Sequence, residues 1–207
     1  MNYEKGIFIL IAGANASGKT TVIKPQYIEG RIKYYLDPDK LSPIAESDIL
    51  STEALKYYKK NSPAKFAITC MEDWLASERI RSEGIATESN LVTKRDFKNF
   101  KKAKEAGMRT ELYFVGIPLE SALQREAIRA SIGEQGKINE DVIVSRHASG
   151  IANIQNHIDS GNIDVIKIYD NSRGIGEEQL LLHIENGKTV YLHPKPPQWF
   201  RYAKIRH

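Results

Sequence analysis

The sequence predicts an α/β fold, with three layers (α/β/α) around a mostly parallel sheet. Three observations predict it. Short apolar runs alternate with segments of helical period along most of the 207 residues, as strands joined by crossover helices do. Those runs are continuously apolar rather than alternating, which is expected of strands buried on both faces. The first run, IFILIA at 7–12, passes into a glycine-bearing loop that opens a helical segment. That makes a first βα unit.

Each element follows from its residues. Strands are expected at 7–12 (six apolar residues), 34–37 (YYLD), 85–88 (IATE), 111–116 (ELYFVG) and 164–170 (DVIKIYD). The last four combine β-branched or aromatic residues with an acid or glycine at one end. Helical spacing marks 19–28, 47–61, 64–82, 93–106, 119–132 and 139–160. The parallel strands are expected near the order 2-3-1-4-5. The segment 119–160 reads as a helical lid. Asn186-Gly187 tolerates positive φ at both central positions, so LLLHIENGKTVYLH reads as a small hairpin. The tail from His193 carries three prolines and is expected to be extended, pinned to the body by Trp199 and Phe200. The whole of 1–207 reads as one domain, with the hairpin and tail at about 178–207.

Composition narrows the class. The chain is 41% hydrophobic and 27% charged, with a net charge of +4. Such a balance suits an anionic ligand and argues only weakly for nucleic acid. A single cysteine, Cys70, excludes an internal disulfide and fits a reducing, cytoplasmic setting. It is expected to pack as a small core hydrophobe. IFILIA is too short for a secretory leader and follows Glu4. No apolar run approaches the roughly 20 residues that span a bilayer.

Gly13, Gly18, Lys19 and Thr20 match G-x-x-x-x-G-K-[ST], the phosphate-binding P-loop. Glycines let the backbone curl so that successive N–H groups point into one concavity. Gly13, Ala14, Asn15, Ala16, Ser17, Gly18, Lys19, Thr20 and Thr21 are therefore the expected nucleotide loop. Lys19 would face the β- and γ-phosphates, Thr20 would offer its hydroxyl to Mg²⁺, and the helix N-terminus would add its dipole. ATP·Mg²⁺ is the expected cofactor. Its base is expected near 170–172, which makes Asn171 a binding candidate, with Arg125 beside it.

The rest of the chain lacks an LSGGQ-like segment, an Asn-Lys-x-Asp stretch and a clear Asp-Glu strand end. What remains are acids after the second and third strands, where a small-molecule kinase binds its acceptor. Asp37 and Asp39 lie two apart in YYLDPDK. Asp39 is the candidate base that takes the acceptor proton, and Asp37 a substrate contact. Asp-Pro-Asp is also ordinary turn chemistry. Glu88 and Ser89 fall where substrate would lie, although Glu88 also reads as a carboxylate favoured by a helix dipole. Arg125 and Arg129 share one helical face, and Arg146 edges the apolar stripe of the next helix. Arginines on a hairpin can close over phosphates and neutralise transition-state charge. Lys19, Asp39, Arg129 and Arg146 form the expected catalytic set. The helix at 93–106 carries six basic and two acidic residues and reads as a solvated face.

Taken together these residues resemble the zeta toxin family of P-loop kinases, in its compact stand-alone branch. The likeness runs from about 7 to 172 and rests on IAGANASGKTT, DPD, ATESN, KKAKEAGMRTELYFVGIP, the arginine hairpin and IYDNS. It implies ATP-dependent phosphorylation of a sugar nucleotide, UDP-N-acetylglucosamine, at a sugar hydroxyl, and a small antitoxin partner. By position, Lys19 carries over as the phosphate lysine, Asp39 as the base, Glu88 as a substrate contact, and Arg129 and Arg146 as lid arginines. The chain departs from the family at GEQGKI, where a histidine is missing, at Asn90, and at DPD itself. The alternative reading is a nucleotide-gated binding protein, or a polynucleotide kinase, acting on nucleic acid.

Overall fold

The structure is a computed structural model that describes residues 6–23, 28, 30–38, 42–43, 63–133, 138–174 and 176–201. Its strands are β1 (Ile7–Ala12), β2 (Tyr34–Asp37), β3 (Ser42–Pro43), β4 (Ile85–Ser89), β5 (Arg109–Gly116), β6 (Val165–Asp170), β7 (Gln179–Glu185) and β8 (Lys188–Leu192). Its helices are α1 (Lys19–Ile23), α2 (Pro63–Ala76), α3 (Glu78–Glu83), α4 (Lys94–Glu105), α5 (Leu119–Ser131), α6 (Glu140–Asp159) and α7 (Gln198–Arg201).

One sheet contains every described strand, in the order β3-β2-β4-β1-β5-β6-β7-β8. The five strands β2, β4, β1, β5 and β6 are parallel, in the order expected from sequence. The central strand shows why this run of residues makes a sheet covered on both sides. Phe8, Leu10 and Ala12 point into one core, with Trp74, Ile80, Phe100 and Ile154 from α2, α3, α4 and α6. Ile7, Ile9 and Ile11 point into the other, with Val22 and Ile23 of α1. A strand alternates its side chains between faces, so a run apolar at every position requires a layer on each side.

Two expectations need correction, on a helix and on the tail. The helix predicted at 64–82 is two helices. Ser77 adopts extended backbone and its hydroxyl accepts from Ile80 N at 3.4 Å, capping α3. The expected hairpin is present as β7–β8 and continues the main sheet. β7 pairs antiparallel with β6, and Leu181, Leu182 and Ile184 are buried, so the hairpin covers the edge that β6 would otherwise expose. The tail is not wholly extended, because Gln198–Arg201 forms a helical turn after Pro197. Trp199 and Phe200 do pin it: the indole lies against Gly116, where an added Cβ would come within 2.1 Å of the ring. The helix expected at 47–61 lies outside the described residues, as do 24–27 of the first helix.

Cys70 is on the core face of α2, and burial pushes its thiol up to about 12. It behaves as a hydrophobe. Among the described residues no helix is long and apolar enough to cross a membrane.

Candidate active site

The carboxyl ends of β1, β2, β4, β5 and β6 meet at one end of the sheet, as parallel pairing requires. Residues 13–18 turn there between β1 and α1. Gly13 has φ +147° and Gly18 φ +88°. A Cβ on Gly13 would meet Val115 O at 2.2 Å, and one on Gly18 would meet Asn171 Nδ2 at 2.4 Å. These two positions thus need glycine for backbone and for space alike. Ala16 takes φ 57° inside the loop. Ser17 N closes the turn on Ala14 O at 3.2 Å. Thr21 N bonds Gly18 O at 3.1 Å, and its side chain is exposed.

The loop is held from β6. Asn171 Nδ2 donates to Ser17 O at 2.9 Å, and Asn171 N donates to Gly116 O at 3.0 Å. Arg125 Nη2 on α5 donates to Asn171 O at 2.9 Å. Arg125, Asn171 and the loop are therefore brought together. Ser17 Oγ and Asn171 Oδ1 are buried without a hydrogen-bond partner among the described residues. Buried polar atoms of this kind usually have a partner.

Lys19 turns its ammonium to the carbonyls of Gly13 and Ala14, at 3.0 and 3.1 Å. Thr20 Oγ1 donates to Glu88 Oε1 at 2.8 Å. The buried Tyr35 hydroxyl also donates to Glu88. Burial, then the Glu88 charge, pushes the Tyr35 phenol well above its ordinary range, so it stays a donor. Glu88 was expected as a substrate contact; the geometry ties it first to the threonine expected at the metal. The topology explains this, because β4 lies directly beside β1.

A cleft of about 230 Å³ opens next to these groups. Lys19, Glu88, Ser89 and Arg146 line its polar side, and Leu36, Ile68 and Met71 its apolar side. Arg146 Nη1 donates to Asn15 Oδ1 at 3.3 Å, which brings α6 over the loop. Ser89 Oγ donates to Asp96 Oδ2 at 2.9 Å, and Thr93 Oγ1 donates to the same oxygen at 3.3 Å. Burial raises the Asp96 carboxyl above its ordinary value against those hydrogen bonds.

Asp37 is buried at the end of β2, and Pro38 lines the cleft. Asp39, the expected base, lies outside the described residues, as does 134–137 of the expected lid. Arg129 does not line the cleft. Its Nη1 lies 3.7 Å from Glu126 Oε2, one turn away on its own helix, because a buried carboxylate draws it there. Sequence reasoning missed Tyr35, Asp96 and Glu126. Asp96 had a visible signal, since Thr93 and Asp96 fit a capping box. Tyr35 and Glu126 had none: one reads as a strand aromatic, the other as a surface glutamate.

Hard oxygen donors at Thr20 and Glu88 suit a magnesium ion carried in on nucleotide phosphates. No group of three or more His, Cys, Asp or Glu able to hold a metal occurs among the described residues.

The sequence matches no protein-family model and no curated protein. Solved structures do match. The native AvrRxo1-ORF1:ORF2 complex has a chain that aligns with TM-score 0.66 and 14% identity, over 97% of this chain and 64% of that one. The same complex with ATP aligns with TM-score 0.62 and 16% identity, over 90% and 60%. A structure from the PezAT chromosomal toxin–antitoxin system of Streptococcus pneumoniae aligns with TM-score 0.57 and 20% identity, over 86% and 73%. This chain spans 60–64% of the matched AvrRxo1 chains. The shared property is the fold.

Proposed function

We propose that the chain is a kinase of zeta toxin type that moves the γ-phosphate of ATP to a hydroxyl of a small-molecule acceptor. The observation that carries this reading is the meeting of Lys19, Thr20, Glu88 and Arg146 at the head of one cleft. The phosphate loop lies on one side of that point and space for an acceptor on the other. A sugar nucleotide such as UDP-N-acetylglucosamine is the proposed acceptor. A cleft with one apolar wall and one rich in hydroxyl, amide and carboxylate groups supports it.

The proposed chemistry is an in-line displacement. A bond forms between the acceptor oxygen and the γ-phosphorus, and the bond from that phosphorus to the β,γ-bridging oxygen breaks to leave ADP. The hydroxyl proton passes to a carboxylate. Asp39 is our first choice, because it follows Pro38, which lines the cleft. Glu88 is the runner-up. Lys19 leaves the carbonyls of Gly13 and Ala14 for the phosphates, and Arg146 balances charge on the equatorial oxygens, with Arg129 joining it on leaving Glu126. Thr20 and Glu88 would hold magnesium, which when bound adds positive charge at the phosphate oxygens. A cytoplasmic setting, where ATP is supplied, fits this chemistry. A small antitoxin is the proposed protein partner, since PezAT is a toxin–antitoxin system and AvrRxo1-ORF1 is solved with ORF2.

The test is incubation with labelled ATP and a panel of sugar nucleotides, nucleosides and oligonucleotides, with the labelled product found by mass. Label on a sugar nucleotide that vanishes in Lys19→Ala is the expected result. Label only on oligonucleotides, or none with nucleic acid binding gated by ATP, would establish the alternative instead. Asp39→Asn should lower turnover by roughly 10²–10⁴-fold. If it stays near wild type while Glu88→Gln is inactive, Glu88 is the base.

A further inference from the structure

A second cavity, of about 340 Å³, lies between α5 and the start of α6. Leu123, Ala127, Ala130, Ile138 and Ile143 supply its hydrocarbon walls. The Ser131 hydroxyl at its margin donates to Ile128 O at 2.7 Å. Two carboxylates, Glu126 and Glu140, also line it, and no basic residue among the described residues does. Glu126 is only 2% exposed. Neither of its oxygens has a hydrogen-bond partner among the described residues. Arg129 lies 3.7 Å away, too far for a hydrogen bond.

A carboxylate this deeply buried is costly unless it is both paired and hydrogen-bonded. Among the described residues Glu126 has a distant cation and no donor. The unfilled space beside it is apolar, small and acidic at two points. A ligand that completes the site must bring N–H donors and positive charge on a slim hydrocarbon body. Aromatic bodies have no ring to stack on among the described wall residues, and anions would meet two carboxylates. The volume lies at the small end of the range for ligand pockets.

We propose that this cavity is a binding site for a small aliphatic cation, a primary amine or guanidine on a short stem, with its head group on Glu126 and its stem against Leu123, Ile138 and Ile143. Such a ligand replaces Arg129 as the counter-ion of Glu126. It also fills the gap between the helices that carry Arg125, Arg129 and Arg146. Binding itself does not depend on the kinase reading, whereas any effect on phosphate transfer does.

The test is calorimetric titration of the full chain with pentylammonium, using pentanol and pentanoate as controls with the same stem. Saturable pentylammonium binding is expected with Kd of order 1 mM, fitting for six heavy atoms. Pentanol should bind at least about tenfold more weakly, and pentanoate should not bind. Glu126→Gln should weaken pentylammonium by about tenfold or more. Should that variant not fold, Ala130→Leu fills the cavity, keeps the carboxylate and should abolish binding. The proposal is overturned if pentanol binds as well as the amine, or if either folded variant binds normally. Absence of saturation by about 50 mM amine also overturns it. So does binding of acetyl-Leu-Lys-Leu-amide without binding of the free amine, which would indicate a protein partner.

Discussion

The two ends of the sheet are built on opposite plans. At the amino end, Glu111 of β5 is buried and fully engaged. Arg31 and Arg109 donate to it at 2.8 and 2.7 Å, and Tyr113 donates at 2.7 Å. Arg109 also reaches Glu185 at 3.3 Å. Burial alone would raise the Glu111 carboxyl, but Arg31, Tyr113 and Arg109 hold it below its ordinary value. Burial works against the Arg31 guanidinium too, yet Glu111 keeps it above its ordinary value. At the carboxyl end, polar groups bond to loop backbone, as Lys19 does, and Ser17 Oγ and Asn171 Oδ1 lack hydrogen-bond partners among the described residues. One end satisfies its charges internally and supports the fold. The other keeps donors and acceptors for something that arrives.

If that contrast is right, mutations at the two ends should separate stability from activity. The largest effect is expected at the amino end. Glu111→Gln removes the buried carboxylate shared by an exposed Arg31 and a half-buried Arg109, of which Arg109 keeps another anion in Glu185, so it should destabilise by about 3 kcal/mol. The measurement is a urea or thermal midpoint, and turnover at a temperature where the variant is folded should stay near wild type. A stable variant with lost turnover would break the contrast. Lys19→Ala should do the reverse: turnover falls on the order of 10²–10³-fold with the thermal midpoint nearly unchanged. Steady-state kinetics and a melting curve on the same sample check both halves.

The next effect belongs to neither end and sets the baseline. His157 of α6 is fully buried, stacks on Phe97 at 3.8 Å, and makes no hydrogen bond from either nitrogen among the described residues. Burial holds its pKa down at about 4 rather than 6.5. The folded state therefore keeps it neutral, while the unfolded chain takes a proton below 6.5. Stability should be intact above pH 6.5 and fall by about 3 kcal/mol as pH drops toward 4. Glu111, a depressed carboxyl, adds its own loss only below about 4.5. Urea midpoints for His157→Phe should flatten between pH 6.5 and 5. An unchanged slope would rule this histidine out.

Smaller effects sharpen the picture at the carboxyl end. Glu88→Gln should raise the magnesium requirement about 10–100-fold, as loss of a metal-orienting group does. Tyr35→Phe removes one hydrogen bond to Glu88 and should cost about fivefold in the same titration. If Tyr35→Phe changes acceptor KM and leaves the magnesium titration alone, Glu88 serves the acceptor rather than the metal.

Much of this was legible in the sequence because of local rules. Ile7–Ala12 is apolar at every position, and the glycines and lysine of 13–19 have one well-known use, so the first βα unit could be read directly. The strand order followed from the fold class. The split at Ser77 was missed because one serine in a good helical pattern gives little warning. The pairing of Thr20 with Glu88 was out of reach, since it joins residues 68 apart through strand adjacency. The same holds for Arg129: helical spacing placed it beside Arg125, but the pull of a buried Glu126 is visible only in three dimensions.

The clamp on the phosphate loop has a consequence for synthesis. Asn171 reaches back 154 positions to hold Ser17 O. Its neighbour Asp170 is in turn fixed by Trp199 Nε1 at 2.7 Å, 29 residues later. The loop leaves the ribosome before its brace, which is translated 154 positions later. Over that interval a nascent chain carries the phosphate-binding sequence without the floor that shapes it. A loop ready to receive phosphate thus waits on residues far along the chain, down to the tryptophan that fixes Asp170.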